Sequence, residues 1–285
     1  MLGAAALLLL LLVAFFAGIA GAFLGVGGGI ILVPFLTLGL DVDQRIATAV
    51  SIVGVIATSS AAASVYVRDR MTNLRLGMFL EVATASGAVL GAVLAVVFAT
   101  SEALALLFAI AVLYAASSMI RRRDTSARAL VGPGDETGLA ARLRLGDAYY
   151  ERDGEARPYG VEKPMTGLAV GAVAGTASGM LGVGGGFIKV PIMHLVMKVP
   201  MRASVATSNF MIGVTAAASA FVYYFGGLLD VTIAAVVVLG VSGGTVIGTR
   251  AMRRTPPTRI RVAFAVFLAV VGVLMGLRAF GLKVI

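Results

Sequence analysis

The sequence predicts an all-α polytopic membrane protein made of two homologous four-segment halves, inverted relative to each other and each with a glycine-broken first helix. Three observations predict it. Hydrophobic residues make up 59% of the 285 and charged residues only 13%, with a mean hydropathy of +1.00; soluble domains carry about 25% charged residues. Several apolar runs reach ~20 residues, the length of helix that crosses a bilayer core, and a chain in lipid must satisfy its backbone polar groups internally. The third is a repeat. Gly25-Val26-Gly27-Gly28-Gly29 with Val33-Pro34 recurs as Gly182-Val183-Gly184-Gly185-Gly186 with Val190-Pro191, at an offset of 157 residues without a gap. Residues 18–51 and 175–208 share 16 identities in 34 positions, and the same offset superposes Tyr66 on Tyr223, Gly87 on Gly244 and Gly91 on Gly248.

Taken in order, helix 1 is expected over residues 2–22 and resumes after the glycines as a short piece, 30–40. The first run resembles a secretory signal ending in Ala20-Gly21-Ala22, but no basic segment precedes it and its repeat mate, Thr166 to Gly179, lies in mid-chain. It is therefore read as a membrane helix. Full helices follow at 46–67, 74–98 and 103–120; the second half reads 164–181, break, 187–197, then 203–225, 231–250 and 258–280. The domains are thus 1–120, a charged linker at 121–163, and 164–285. The linker holds nine Lys/Arg, eight Asp/Glu and Gly132-Pro133-Gly134. It reads as a solvated cytoplasmic loop, with Leu139 to Tyr150 as an alternative interfacial amphipathic helix.

Charge orients the chain. If each broken helix crosses once, the halves are parallel and, with the N-terminus inside, 14 Lys/Arg lie inside and 8 outside. If the short pieces turn back, the halves are inverted; with the N-terminus outside, 19 lie inside and 3 outside. The second arrangement obeys the positive-inside rule. It puts Arg68, Arg70, Arg75, Lys198, Arg202, Arg250, Arg253, Arg254, Arg259, Arg261 and the linker in the cytoplasm. Eleven helical residues span only ~16 Å, which suits half a bilayer.

Composition excludes several chemistries. The absence of cysteine removes disulfides, iron–sulfur clusters and thiol catalysis. The net charge of +9 sits mostly in loops between apolar segments, so it marks no nucleic-acid surface. Ile30 stands where a dinucleotide fingerprint needs glycine, and neither a Walker sequence nor His-Glu-x-x-His is present. No enzyme activity, cofactor or metal is expected.

The glycine runs are the expected substrate site. Matched breaks in two halves mark the binding site of many transporters. A helix restarting after a break presents unpaired N–H groups and the positive end of its dipole to an anion. Gly27, Gly28, Gly29, Gly184, Gly185 and Gly186 are assigned to binding. Gly87 with Gly91, and Gly244 with Gly248, are read instead as small-residue packing seams.

Polar residues within the apolar segments extend the site. Lys189 follows Gly186 by three residues and matches Leu32. A lysine at the bilayer centre costs about 2.5–3.5 kcal/mol to insert, so Lys189 is an anion ligand or gating charge, unless it snorkels to the cytoplasmic surface. Hydroxyl patches follow each half-helix: Thr48, Ser51, Thr58, Ser59 and Ser60, then Ser204, Thr207, Ser208, Asn209 and Thr215. From these Ser51, Ser208 and Asn209 are assigned to binding, against a bland role in helix–helix hydrogen bonding. Arg45 and Arg202 superpose and read as mouths to the site or caps of helix C-termini. His194, the sole histidine, is a candidate proton relay or a solvated residue at the half-helix end. Glu81 is a candidate coupling carboxylate or an interfacial charge paired with Arg75 or Arg68.

Gly25 to Gly29 with Val33-Pro34, Gly182 to Gly186 with Val190-Pro191, Arg45-x-x-x-Ala49-x-Ser51, Arg202-x-x-x-Ala206-x-Ser208 and the paired glycines Gly87/Gly91 and Gly244/Gly248 together resemble the TauE/SafE sulfite exporter family. The resemblance covers both halves and leaves out the linker. It implies a multi-pass cytoplasmic-membrane permease for sulfur-containing anions such as sulfite or sulfonates.

The expected function is secondary transport of a small sulfur oxyanion, in the export direction. An anion leaving a negative-inside cell gains about 2.3 kcal/mol per charge per 100 mV, so export can be uniport. The rivals are an importer or proton- or cation-coupled carrier of another small anion, and a membrane docking subunit that uses the linker. The expected partners are the anion, the lipid bilayer and, through glycine-rich faces, a second copy; no nucleic acid is expected.

Overall fold

The computed structural model describes residues 3–121, 138–150, 155–254 and 258–279. The first half runs α1 (Ala4–Leu24), a glycine turn, α2 (Gly29–Pro34) continued by a π-turn at Phe35–Gly39, α3 (Gln44–Arg68), α4 (Leu74–Val97) and α5 (Ser101–Arg121). A short α6 (Leu139–Arg142) and a hairpin of β1 (Asp147–Tyr150) and β2 (Ala156–Tyr159) follow. The second half repeats the first: α7 (Pro164–Leu181), α8 (Gly186–Pro191) with a π-turn at Ile192–Val196, α9 (Met201–Phe225), α10 (Val231–Arg254) and α11 (Thr258–Ala279). Among the described residues, α1, α3, α4, α7, α9 and the Val231–Ala251 stretch of α10 are long and apolar enough to cross a bilayer. The chain is an integral, helical membrane protein.

Both broken helices end for the same local reason. Gly25 (φ 70°) and Gly182 (φ 69°) close α1 and α7 in left-handed caps, and Gly27, Gly28, Gly184 and Gly185 continue at positive φ. A side chain is strained in that region, so glycine alone fits it easily. The sequence places Pro34 and Pro191 in or just beyond a first turn; the structure makes each the sixth and last residue of its short helix. Proline lacks the N–H of the next helical bond, and the following five residues widen into a π-turn in both halves.

The halves pack by exchanging contacts. α1 lies along α10 while its mate α7 lies along α4; α3 packs on α9 and α5 on α11. The paired glycines are the seams. A methyl group on Gly87 or Gly91 would collide with the carbonyl of Ala172 or Thr176; on Gly244 or Gly248 it would collide with that of Phe15 or Ile19. Each glycine and its obstacle recur at the repeat offset. Close backbone approach of this kind favours helix association where lipid removes the hydrophobic drive.

The segment between the halves differs from expectation. Leu139 to Tyr150 is helical only over its first four residues; Asp147–Tyr150 is a strand paired antiparallel with Ala156–Tyr159. Tyr149, Tyr159, Leu145 and Val161 pack onto Leu76, Leu80, Met193, Met197 and Val199. Burying these side chains beneath the bundle is incompatible with a helix lying free at an interface. Asn73 ties the junction: its Nδ2 donates to the Leu145 carbonyl (2.8 Å) and the Tyr159 hydroxyl (3.2 Å), while its Oδ1 caps α4 by accepting from Leu76 N (2.9 Å). Burial holds the Tyr159 phenol above its ordinary pKa, so it stays protonated. Gly132-Pro133-Gly134 and the side chains of Arg253, Arg254, Arg259 and Arg261 lie outside the described residues.

Candidate functional site

The two glycine turns meet at the centre of the bundle. A methyl group on Gly29 would strike the Gly182 carbonyl, and one on Gly186 the Gly25 carbonyl. Gly27 and Gly184 both lie against Val55 and Ile212, which are themselves repeat mates. The hydroxyls stitch the crossing: Ser51 Oγ donates to Gly182 O (2.8 Å) and Ser208 Oγ to Gly25 O (3.1 Å). Tyr66 and Tyr223 do the same a turn earlier, donating to Ala22 O (3.0 Å) and Gly179 O (2.8 Å). A helix end leaves its last carbonyls without intrahelical partners; here the opposite half or a neighbouring helix supplies them. Gly28 and Gly185 back onto the Ala17 and Ala174 carbonyls. The glycine runs therefore form a tight crossing, and the open space lies beside it.

That space is a crevice lined by Leu80, Thr84, Gly167, Gly171, Lys189 and Met211, among others. Lys189 is only 4% exposed and Glu81 only 5%. Lys189 Nζ donates to Thr215 Oγ1 (2.7 Å), and the Thr215 hydroxyl donates to Glu81 Oε1 (2.7 Å). Thr84 Oγ1 donates to the other carboxylate oxygen, Oε2 (2.8 Å). Three elements converge here: α8 carries the cation one turn after its restart, α4 the carboxylate, and α9 the bridging hydroxyl. A buried charge is tolerated only with a partner, and each charge has one.

The same offset shows what stands at the matching positions of the first half. Lys189, Gly167, Gly171 and Glu81 correspond to Leu32, Leu10, Ala14 and Val238. Leu10, Ala14 and Leu32 are fully buried and pack with Ala17, Val237 and Val241 into a filled apolar cluster. Exchanging leucine for glycine opens room; exchanging leucine for lysine fills part of it with charge.

The remaining assigned residues fall as follows. Glu81 is buried rather than interfacial; Arg75 turns to the Arg144 carbonyl (3.4 Å) and Arg68 to Asp69 (3.6 Å). Lys189 does not snorkel. Asn209 Nδ2 donates to Val205 O (3.1 Å) and Ala22 O (3.4 Å), and its buried Oδ1 has no partner among the described residues. Arg45 is half-buried and donates to the Ala99 carbonyl just beyond α4, a helix C-terminal cap. Arg202 is exposed. His194 Nδ1 lies 3.0 Å from Val199 O, fastening the turn after α8. Sequence reasoning missed Thr84, Gly167 and Gly171 and left Thr215 among general hydroxyls. Thr84 sits three residues after Glu81 on one helical face, which is a readable signal.

Apolar spans, paired broken helices crossing at the centre and a buried lysine and glutamate bridged by a threonine beside a crevice define a membrane transporter. The sequence profile of the Sulfite exporter TauE/SafE family matches residues 10–275, and the chain belongs to that family. It is a transporter, not an enzyme. It is 24% identical to the probable membrane transporter protein YunE of Bacillus subtilis over 271 residues, covering 93% of this chain and 95% of the relative. It is 22% identical to the probable membrane transporter protein MJ0441 of Methanocaldococcus jannaschii over 281 residues, 94% of each. The probable membrane transporter protein MamO of Magnetospirillum gryphiswaldense shares 27% identity over 150 residues, 50% of this chain and 23% of the relative. No solved structure matches.

Proposed function

We propose that this protein is a secondary transporter that exports small sulfur-containing oxyanions, sulfite or an organosulfonate, across the cell membrane. The observation that carries the reading is Lys189: a cation held inside the bundle, lining a crevice, one turn after a broken helix restarts. An anion there meets the Lys189 ammonium and the Thr84 hydroxyl, beside the crossing of the two restarted helices.

The reading includes inverted halves, with the N-terminus outside and residues 121–163 cytoplasmic. Two features support inversion. The repeat mates α3 and α9 run in opposite directions: Ala49 and Ile52 cluster with Ala216 and Tyr223, whereas Ala62 and Tyr66 cluster with Ala206. Arg70 also stacks on Tyr150, and Arg75 reaches Arg144, which groups these basic residues with the linker on one face. That is the face a positive-inside rule puts in the cytoplasm. A second copy as partner remains part of the proposal.

Counterflow of radiolabelled sulfite into proteoliposomes tests it, with sulfite, sulfoacetate, taurine, sulfate and chloride preloaded in parallel. The reading predicts exchange with sulfur oxyanions that weakens in Lys189→Ala and in Gly185→Val. Folded protein that exchanges none of them refutes it.

A further inference from the structure

Two residues that line the crevice have polar groups already engaged. Lys189 and Thr84 both line it, and both serve Glu81, Thr84 directly and Lys189 through Thr215. We propose that an entering anion competes with the Glu81 carboxylate for these donors, so that each monovalent anion is bound and carried together with a proton on Glu81. The inference rests on the anion-carrier reading above and specifies its coupling.

The charge balance is simple. The empty site holds Lys189 as ammonium and Glu81 as carboxylate. In the loaded site the anion takes the ammonium, and Glu81 takes a proton from the water on the side to which the crevice is open. Both states carry the same net charge inside a low-dielectric interior, where a surplus charge is costly. A loaded site without the proton would hold two negative groups and one cation.

The hydroxyls can make this exchange without moving the backbone. Thr215 Oγ1 is 2.9 Å from the Met211 carbonyl as well as 2.7 Å from Glu81 Oε1. When Glu81 is protonated it donates to Thr215, whose own proton turns to Met211 O, and Lys189 is released to the anion. Thr84 Oγ1 likewise has the Glu81 backbone carbonyl at 3.3 Å as a second acceptor.

Few other charges reach this carboxylate. Helix α7 carries no titratable residue, and α9 carries Arg202, Tyr223 and Tyr224 only toward its ends. From α8 the facing charge is Lys189; His194 beyond it is held at Val199 O. On α4 itself Arg75 turns to Arg144 O. The coupling takes the place of the uniport that the sequence allowed. It is electroneutral, so membrane potential gives no push, and direction follows the product of the anion and proton gradients. Export then requires the anion gradient to exceed an opposing proton gradient.

Methanesulfonate is the probe, because a strong acid carries no proton itself at neutral pH. Proton uptake and binding are measured on purified protein in lightly buffered detergent, and exchange in proteoliposomes. The expected results are one proton taken up per methanesulfonate bound, and affinity falling about tenfold per unit rise in pH where the empty-site Glu81 is ionised. Glu81→Gln should bind and exchange without proton uptake and lose accumulation driven by a pH gradient. Binding and exchange by the wild type with no proton uptake overturns the inference and leaves the anion carrier standing. Absence of binding and exchange for methanesulfonate, sulfite and sulfoacetate alike overturns both. The wild-type stoichiometry decides the matter even if the variant fails to fold.

Discussion

Lys189 holds in the second half the place that Leu32 holds in the first. Leu32 is fully buried in an apolar cluster, and Lys189 is almost as buried but bonded to Thr215. One position of the repeated scaffold thus holds an apolar side chain in one half and a bonded charge in the other.

This asymmetry predicts unequal costs for the same chemistry. Leu32→Lys puts an unpartnered charge in the filled half and should destabilise the protein by roughly 3 kcal/mol. Thermal unfolding in detergent, read as fraction folded against temperature, checks it. Wild-type-like stability would mean that the first-half pocket is wet.

The bridge through Thr215 predicts coupling between Lys189 and Glu81. Lys189→Met leaves Glu81 with an uncompensated charge and should cost about 3 kcal/mol. Adding Glu81→Gln should return much of that stability, since no buried charge then remains. A double-mutant cycle measures the difference; strict additivity of the two changes would contradict the bonded arrangement.

The crossing predicts reciprocal behaviour of Ser51 and Ser208. Each donates to a glycine carbonyl of the opposite half. Ser51→Ala and Ser208→Ala should each cost about 1 kcal/mol, the worth of a lost buried hydrogen bond. Gly29→Ala and Gly186→Ala should cost more, because their methyl groups meet backbone. Unfolding midpoints of the four variants rank them.

How much of this was readable in the sequence differs from element to element. The gapless offset and the positive φ of Gly25 and Gly182 follow from the glycine runs themselves. The packing of Gly87 and Gly244 was legible from their small-residue spacing. The π-turns were not: Pro34 and Pro191 forecast a lost hydrogen bond but not how the backbone would absorb it. The link from Glu81 to Lys189 was also hidden, because it depends on α4, α8 and α9 meeting through Thr215. Gly167 and Gly171 gain meaning only once their mates Leu10 and Ala14 are known to be packed. The pairing of Asp147–Tyr150 with Ala156–Tyr159 arises with tyrosines packing against the bundle, a tertiary effect that local charge conceals.

The central claim is that an anion binds at Lys189, and ligand-induced stabilisation tests it most directly. A ligand present at 100 times its dissociation constant adds about 2.7 kcal/mol to the folded state. Sulfite should therefore raise the unfolding midpoint of the wild type and of Arg202→Ala, whose side chain is exposed, and leave Lys189→Ala unmoved. An equal rise in wild type and Lys189→Ala would contradict the account.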